Sequence, residues 1–171
     1  MHGEARRELI KKILSEAEQP TAGSDLARRL SVSRQVIVQD ISLLRAKGEQ
    51  ILATPQGYLM LNVLTGSVLT RTFATQHDTA GMEEELKIIV DAGGRVVDVI
   101  VEHPLYGELR GLLMLSSRLD VENFVANLQS SKAKPLSVLT NGVHLHTVEA
   151  VSEEVFSRIE QELAQAGILL Q

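Results

Sequence analysis

The chain has 171 residues, 44% of them hydrophobic, a formal net charge of −5 and no cysteine. Such a length holds one domain or two small ones, with apolar content enough for an ordinary core. Disulfides and thiolate metal sites are excluded, so any transition metal must use His, Asp or Glu. No apolar run of about 18 residues offers a membrane span, and the charged start MHGEARRELIKK is unlike a signal peptide, so a cytoplasmic protein with no membrane partner is expected.

Residues 4–18 place Leu9, Ile10, Ile13, Leu14 and Ala17 at helical spacing, and Gln19-Pro20 stops that helix. A second short helix turns Leu26, Ala27 and Leu30 inward. Ser31-Val32-Ser33 is a turn, with Ser33 placed to cap a third helix. Along this third helix Val36, Ile37, Ile41 and Leu44 face a core, leaving Arg34, Gln35, Gln39 and Arg45 outward; Lys47-Gly48 ends it. Residues 50–54 and 58–61, joined by Pro55-Gln56-Gly57, read as a β-hairpin.

Three helices and a hairpin make a winged helix-turn-helix, whose third helix enters the major groove. Arg34 and Gln35 stand near its start, where bidentate contacts to purine edges are made. Taken alone, the same residues better suit a solvated helix face; the following hairpin shifts the reading to double-stranded operator DNA. Charge agrees, since residues 1–62 carry nine Lys/Arg against seven Asp/Glu, and residues 63–171 eight against fifteen. Phosphate attraction follows local rather than total charge, so the acidic part is not expected to touch DNA.

Asn62 to Gly66 reads as a link, giving a DNA-binding domain over 1–63 and a second domain over 64–171. In the second, Ser67–Thr75 is a β-rich run and Glu83–Ala92 a helix ending at Gly93-Gly94. Arg95–Glu102 and Glu108–Leu115 are strands, and Asp120–Ser130 is a helix with Val121, Phe124, Val125 and Leu128 inward. Pro135–Leu139 and Val143–Val148 suggest a hairpin about Thr140-Asn141-Gly142, and Glu153–Ala166 a closing amphipathic helix. The fold class is therefore α+β: a winged helix-turn-helix joined to an α/β sandwich.

The strand Val143–Val148 carries His144 and His146, which at i and i+2 project from one face and can share one ion. His77, at a strand's end, and Glu85, eight residues on, offer a third and fourth ligand if the fold gathers them. Polar residues at alternate positions are also ordinary on surface strands. In His103-Pro104-Leu105-Tyr106-Gly107, the His and Tyr either line a pocket or pack in a rigid turn. Arg110 suits an anionic ligand or a plain surface charge.

The string SVSRQVIVQDISLLRAKGEQILATPQGYLM resembles the winged helix of many bacterial repressors, including the biotin-ligase repressor. His77, ELKIIVDAGG (85–94), VEHPLYGEL (101–109), LSSRLDVENF (115–124) and LTNGVHLHT (139–147) resemble the 3H domain, named for its histidines. Together they resemble the niacin-responsive transcriptional repressors of bacteria, over nearly the whole chain.

That resemblance implies a divalent transition metal, nickel or zinc, on His77, Glu85, His144 and His146. It implies nicotinic acid or a close relative as co-repressor, seated beside the metal near His103 and Tyr106; Arg110, on the next strand, is the further effector candidate. Expected DNA contacts are Ser33, Arg34, Gln35, Gln39 and Arg45. A homodimer is expected because one winged helix reads few bases. Two rivals stand beside this reading: a repressor whose effector is the metal itself, and a metal-dependent enzyme with an appended DNA domain, in which Glu108 or Asp98 would act as base. No HExxH motif, phosphate-binding glycine loop or nucleophile elbow supports the enzyme, and no catalytic residue is expected.

Overall fold

The apolar period after residue 4 forms α1 (Gly3–Glu16), which buries Ile10 and Leu14 while Leu9 stays exposed. The structure, a computed structural model, describes residues 3–61 and 68–171 and divides into two compact units, Met1–Thr65 and Gly66–Gln171. The expected link Asn62–Gly66, and Ser67 of the β-rich run, lie outside the described residues.

In the first unit α1 is followed by α2 (Gly23–Arg29), α3 (Arg34–Ala46) and the hairpin of β1 (Ile51–Thr54) with β2 (Gly57–Met60). Ile10, Leu14, Leu26, Ile37, Ile41, Leu44 and Ile51 form one core, with Tyr58 and Met60 against it. Ser33 caps α3, its hydroxyl accepting the Val36 amide at 3.3 Å and so satisfying one free donor of the first turn. Asp40, buried on α3, receives Arg6 at 2.5 Å and Arg7 at 3.3 Å from α1, pinning the two helices together. The wing is held by Thr21, whose amide and carbonyl bond Tyr58 at 2.8 and 2.9 Å. Gly57 is needed there: φ is +140° and a Cβ would lie 2.3 Å from the Thr21 carbonyl oxygen.

The second unit is built on an antiparallel sheet in the order β3 (Leu69–Gln76), β6 (Val143–Ala150), β4 (Arg95–His103), β5 (Gly107–Leu115). The helices α4 (Met82–Asp91), α5 (Arg118–Ser131) and α6 (Glu153–Gln165) pack on the face that carries Phe73, Val96, Leu115 and Val148. Leu86, Ile89, Val121, Phe156, Ile159 and Leu163 fill the layer between, completing a two-layer α/β sandwich. After α6 the chain returns to β3, where Gln76 and Leu170 amides bond the Ile168 and Ala74 carbonyls at 2.9 Å.

One expected element is different. Leu136–Thr140 is a 3-10 turn, and β6 takes β3 and β4 as its neighbours rather than pairing with residues 135–139. With both edges of β6 occupied in the sheet, no edge remains for a hairpin partner. The Asn141-Gly142 signal still marks a reversal, both residues having positive φ (52° and 89°). Helix α5 also starts earlier than expected, since Ser117 caps it and Asp120 closes a reciprocal capping box.

Candidate metal centre and DNA-reading helix

The sheet register brings the histidines together. On β6 the burial alternates, so His144 and His146 turn inward while Val143 and Leu145 face out. Thr75 of β3 lies opposite His144, which brings His77, just past the strand's end, beside it. Gly142 permits that approach: its φ is +89°, and a Cβ would lie 2.2 Å from the His77 carbonyl oxygen. From the other layer α4 presents Glu85. Of the three adjacent glutamates opening that helix, Glu85 alone is fully buried.

Three imidazole nitrogens converge on one oxygen. Glu85 Oε2 lies 2.5 Å from His77 Nε2, 3.0 Å from His144 Nε2 and 3.3 Å from His146 Nε2. Donor atoms of His77, Glu85 and His144 all lie within 4.8 Å of one another. His146 completes the group, its ring 4.9 Å from that of His144.

The opposite ring nitrogens are also engaged. Nδ1 of His77, His144 and His146 donates to the backbone carbonyls of Asp78, Gly142 and Asp98, at 2.5, 2.7 and 2.6 Å. Such bonds fix the tautomer and turn each Nε2 lone pair toward the carboxylate. The Thr75 hydroxyl adds a contact to His144 Nε2 at 3.1 Å.

Lone pairs facing lone pairs require a cation. Without a metal, protons must serve. Burial alone would push the Glu85 carboxyl up, but the charge of His146 and the bonds of His144, His146 and His77 hold it far below the usual carboxylate range. Burial opposes charge on His77 and His146, yet Glu85 and the backbone carbonyls raise both above the ordinary imidazole value. The second carboxylate oxygen, Oε1, is buried with no hydrogen-bond partner. Neutral imidazole and carboxylate donors with an unused buried oxygen fit a divalent ion of the zinc or nickel type.

The residues expected at the effector are not beside the histidines. His103 and Tyr106 sit at the exposed tip between β4 and β5, where His103 Nδ1 accepts the Leu105 and Tyr106 amides at 3.1 and 3.3 Å. His103 is five residues beyond Asp98, about 16 Å along an extended strand. Arg110 bonds Asp98 at 2.5 Å and Glu108 at 2.8 Å. None of these three lines the cavity beside the histidines, which Met82, Leu86, Val99, Leu113, Phe124 and Leu136 wall instead. Strand register, invisible in the local string, sets this separation.

Asp98 itself is the residue that sequence reasoning undervalued. The β4–β6 ladder is interrupted between Val96 and Ile100. In that gap the Asp98 carbonyl receives His146 and its carboxylate receives the Thr147 amide at 3.0 Å. An acid set between the apolar residues of Val96–Val101 was the available signal.

In the first unit Ser33, Arg34, Gln35, Gln39 and Arg45 are all exposed, as a groove-entering helix face requires. Val38 and Ser42 are also exposed on α3.

A model of the HTH domain matches residues 6–59, and one of the 3H domain matches residues 70–171. The chain is 47% identical over 166 residues to a protein of Thermotoga maritima named "Probable transcription repressor NiaR", covering 97% of this chain and 94% of that one. It is 43% identical over 170 residues to the "Transcription repressor NadR" of Bacillus subtilis, covering 98% and 94% respectively.

Proposed function

Because this chain belongs to the 3H-domain family of helix-turn-helix transcription repressors, we propose that it represses genes of niacin salvage and transport, with nicotinic acid as co-repressor and a divalent metal in the histidine cluster. It is a DNA-binding regulator and not an enzyme. Among the described residues, no helix is long and apolar enough to cross a membrane.

The observation that carries the metal is the convergence of three Nε2 atoms on Glu85, with every Nδ1 spent on a carbonyl. His77, Glu85, His144 and His146 would hold the ion. When bound, it supplies a Lewis-acidic position for an anionic ligand. Nicotinic acid rests on the resemblance of the HPLYGEL and GVHLHT strings to the niacin-responsive repressors.

Regulation follows from linkage. The effector shifts DNA affinity only as far as its own affinity differs between two arrangements of the protein, and DNA then shifts effector affinity by the same factor. In a homodimer those arrangements differ in the spacing of two α3 helices, and the competent one matches half-sites about 34–36 Å apart.

The test is binding to the DNA upstream of the chain's own gene, in metal-loaded and chelated protein, with and without nicotinate. Tightening by nicotinate that vanishes on chelation and in His144→Ala/His146→Ala is expected. Binding that follows the metal but ignores nicotinate would make the ion the effector; no sequence-specific binding would sink the reading.

A further inference from the structure

The outward face of α3 holds an apolar residue among polar ones. Val38 stands in the second turn of the helix and is 37% exposed. A β-branched side chain is a poorer helix former than alanine. At this position it weakens the helix slightly and gains little from burial within its own unit.

Side chains step by about 100° per residue around a helix axis. Val38 therefore lies within about 40° of Arg34, Ser42 and Arg45, and about 60° from Gln35. Ser42, one turn on, gives its hydroxyl back to the Val38 carbonyl at 2.8 Å, so that donor is spent within the helix.

Cations frame this face. Arg6 and Arg7 are committed to Asp40, Lys11 to Glu49 and Arg28 to Asp25. Among the described residues, the exposed Arg34 and Arg45 make no ion pair. Arg34 opens α3 and Arg45 lies in its last turn, about 16 Å away along the axis, with Val38 between them. A helix face with free cations at both ends is drawn onto the phosphate-lined groove along its length.

On the premise that α3 enters the major groove, we propose that Val38 is a specificity-determining residue whose methyl groups pack on the C5-methyl of one thymine. Base edges in that groove offer donors and acceptors to Arg34, Gln35 and Gln39, but only thymine offers a methyl group. Set against the amino group of cytosine or adenine, Val38 would strip water from a donor without pairing it. Thymine is thus selected both by attraction and by the cost of the alternatives.

The test removes the same contact from each side. Preferred sites of the full chain are selected from random duplex DNA, with and without zinc and nicotinate, and the tighter-binding condition is kept. Each thymine of the selected site is then replaced singly by uracil, which lacks only the methyl. Fluorescence anisotropy gives the affinity of wild type, Val38→Ala and Leu43→Ala. Leu43 is the control, an exposed apolar residue of α3 about 140° around the axis from Val38. At one thymine, uracil should weaken wild type about fourfold, the factor for losing one buried methyl group. Val38→Ala should bind the thymine site more weakly by at least about that factor and lose nothing further with uracil. Leu43→Ala should respond to uracil as wild type does. Alanine favours the helix at this exposed position, and thermal melting verifies that Val38→Ala is folded. Uracil sensitivity that persists in Val38→Ala overturns the proposal, as does a wild type for which no thymine methyl matters. Failure to select any site sinks instead the DNA-reading premise.

Discussion

Replacing Asp98 separates its two tasks. Its carboxylate fills the break in the β4–β6 ladder by accepting the Thr147 amide at 3.0 Å, and its carbonyl orients His146 at 2.6 Å. In Asp98→Ala the Thr147 N–H loses its partner, which costs about 1–3 kcal/mol. For a domain of this size that lowers Tm by about 4–8 °C per kcal/mol. The carbonyl is then less firmly placed, and loss of support behind a metal-binding histidine costs roughly 10–100-fold in metal affinity. In Asp98→Asn the side-chain oxygen still accepts Thr147, while the amide NH2 replaces the Oδ2 that accepts Arg110, so the pair with Arg110, itself 47% exposed, is lost. A pair with one exposed member contributes about 0–1 kcal/mol. Thermal unfolding in chelator and competition titration with zinc measure the two effects. Asp98→Ala should be well below wild type in both, and Asp98→Asn close to it. Equal losses in the two variants, or unchanged zinc affinity in Asp98→Ala, would refute the reasoning.

The metal-free protein should respond to pH in the opposite sense from the loaded one. Raised values for His77 and His146 give stability that is complete below about 6.5 and lost as pH rises through their folded values. The depressed Glu85 gives stability present above about 4.5 and lost as pH falls far below it. In chelator, then, denaturation midpoints of the second unit should decline from pH 6.5 to 8.5. With zinc they should rise, because the ligands must shed protons; parallel curves would contradict this. Gly142→Ala forces a Cβ at positive φ onto the His77 carbonyl and should cost more than about 1 kcal/mol, with zinc affinity reduced. A melt and titration matching wild type would exclude that close approach. Arg34→Ala should weaken operator binding by about 1–3 kcal/mol and relax the preference at one base. Uniform weakening across operator variants would assign Arg34 to phosphate.

Much of this fold is legible because its signals are local. The apolar period of α1 and α3, the Ser33 cap and the two-residue alternation of β6 each lie within one element. The pairing of His144 with His146 is legible for the same reason. Glu85 lies eight residues from His77, and burial sets it apart from its neighbours Glu83 and Glu84. What the sequence hides is register. Nothing in residues 135–143 says that β6 will lie between β3 and β4, so a good turn sequence suggested a hairpin that the sheet has no edge to accept. His103 and Tyr106 read as neighbours of the metal, but the length of β4 carries them to the hairpin tip, where His103 borders a separate surface pocket. The walls of the cavity beside the histidines are apolar residues from α4, β4, β5, α5 and the 3-10 turn, each indistinguishable in sequence from core.

The most direct measurement is metal content and coordination of the full chain after equilibration with zinc or nickel and dialysis. Inductively coupled plasma mass spectrometry gives the stoichiometry, and X-ray absorption the ligand type. The account predicts one ion per chain with an imidazole-rich shell, lost in His144→Ala/His146→Ala. Substoichiometric metal in wild type, or equal retention by the double variant, would contradict it.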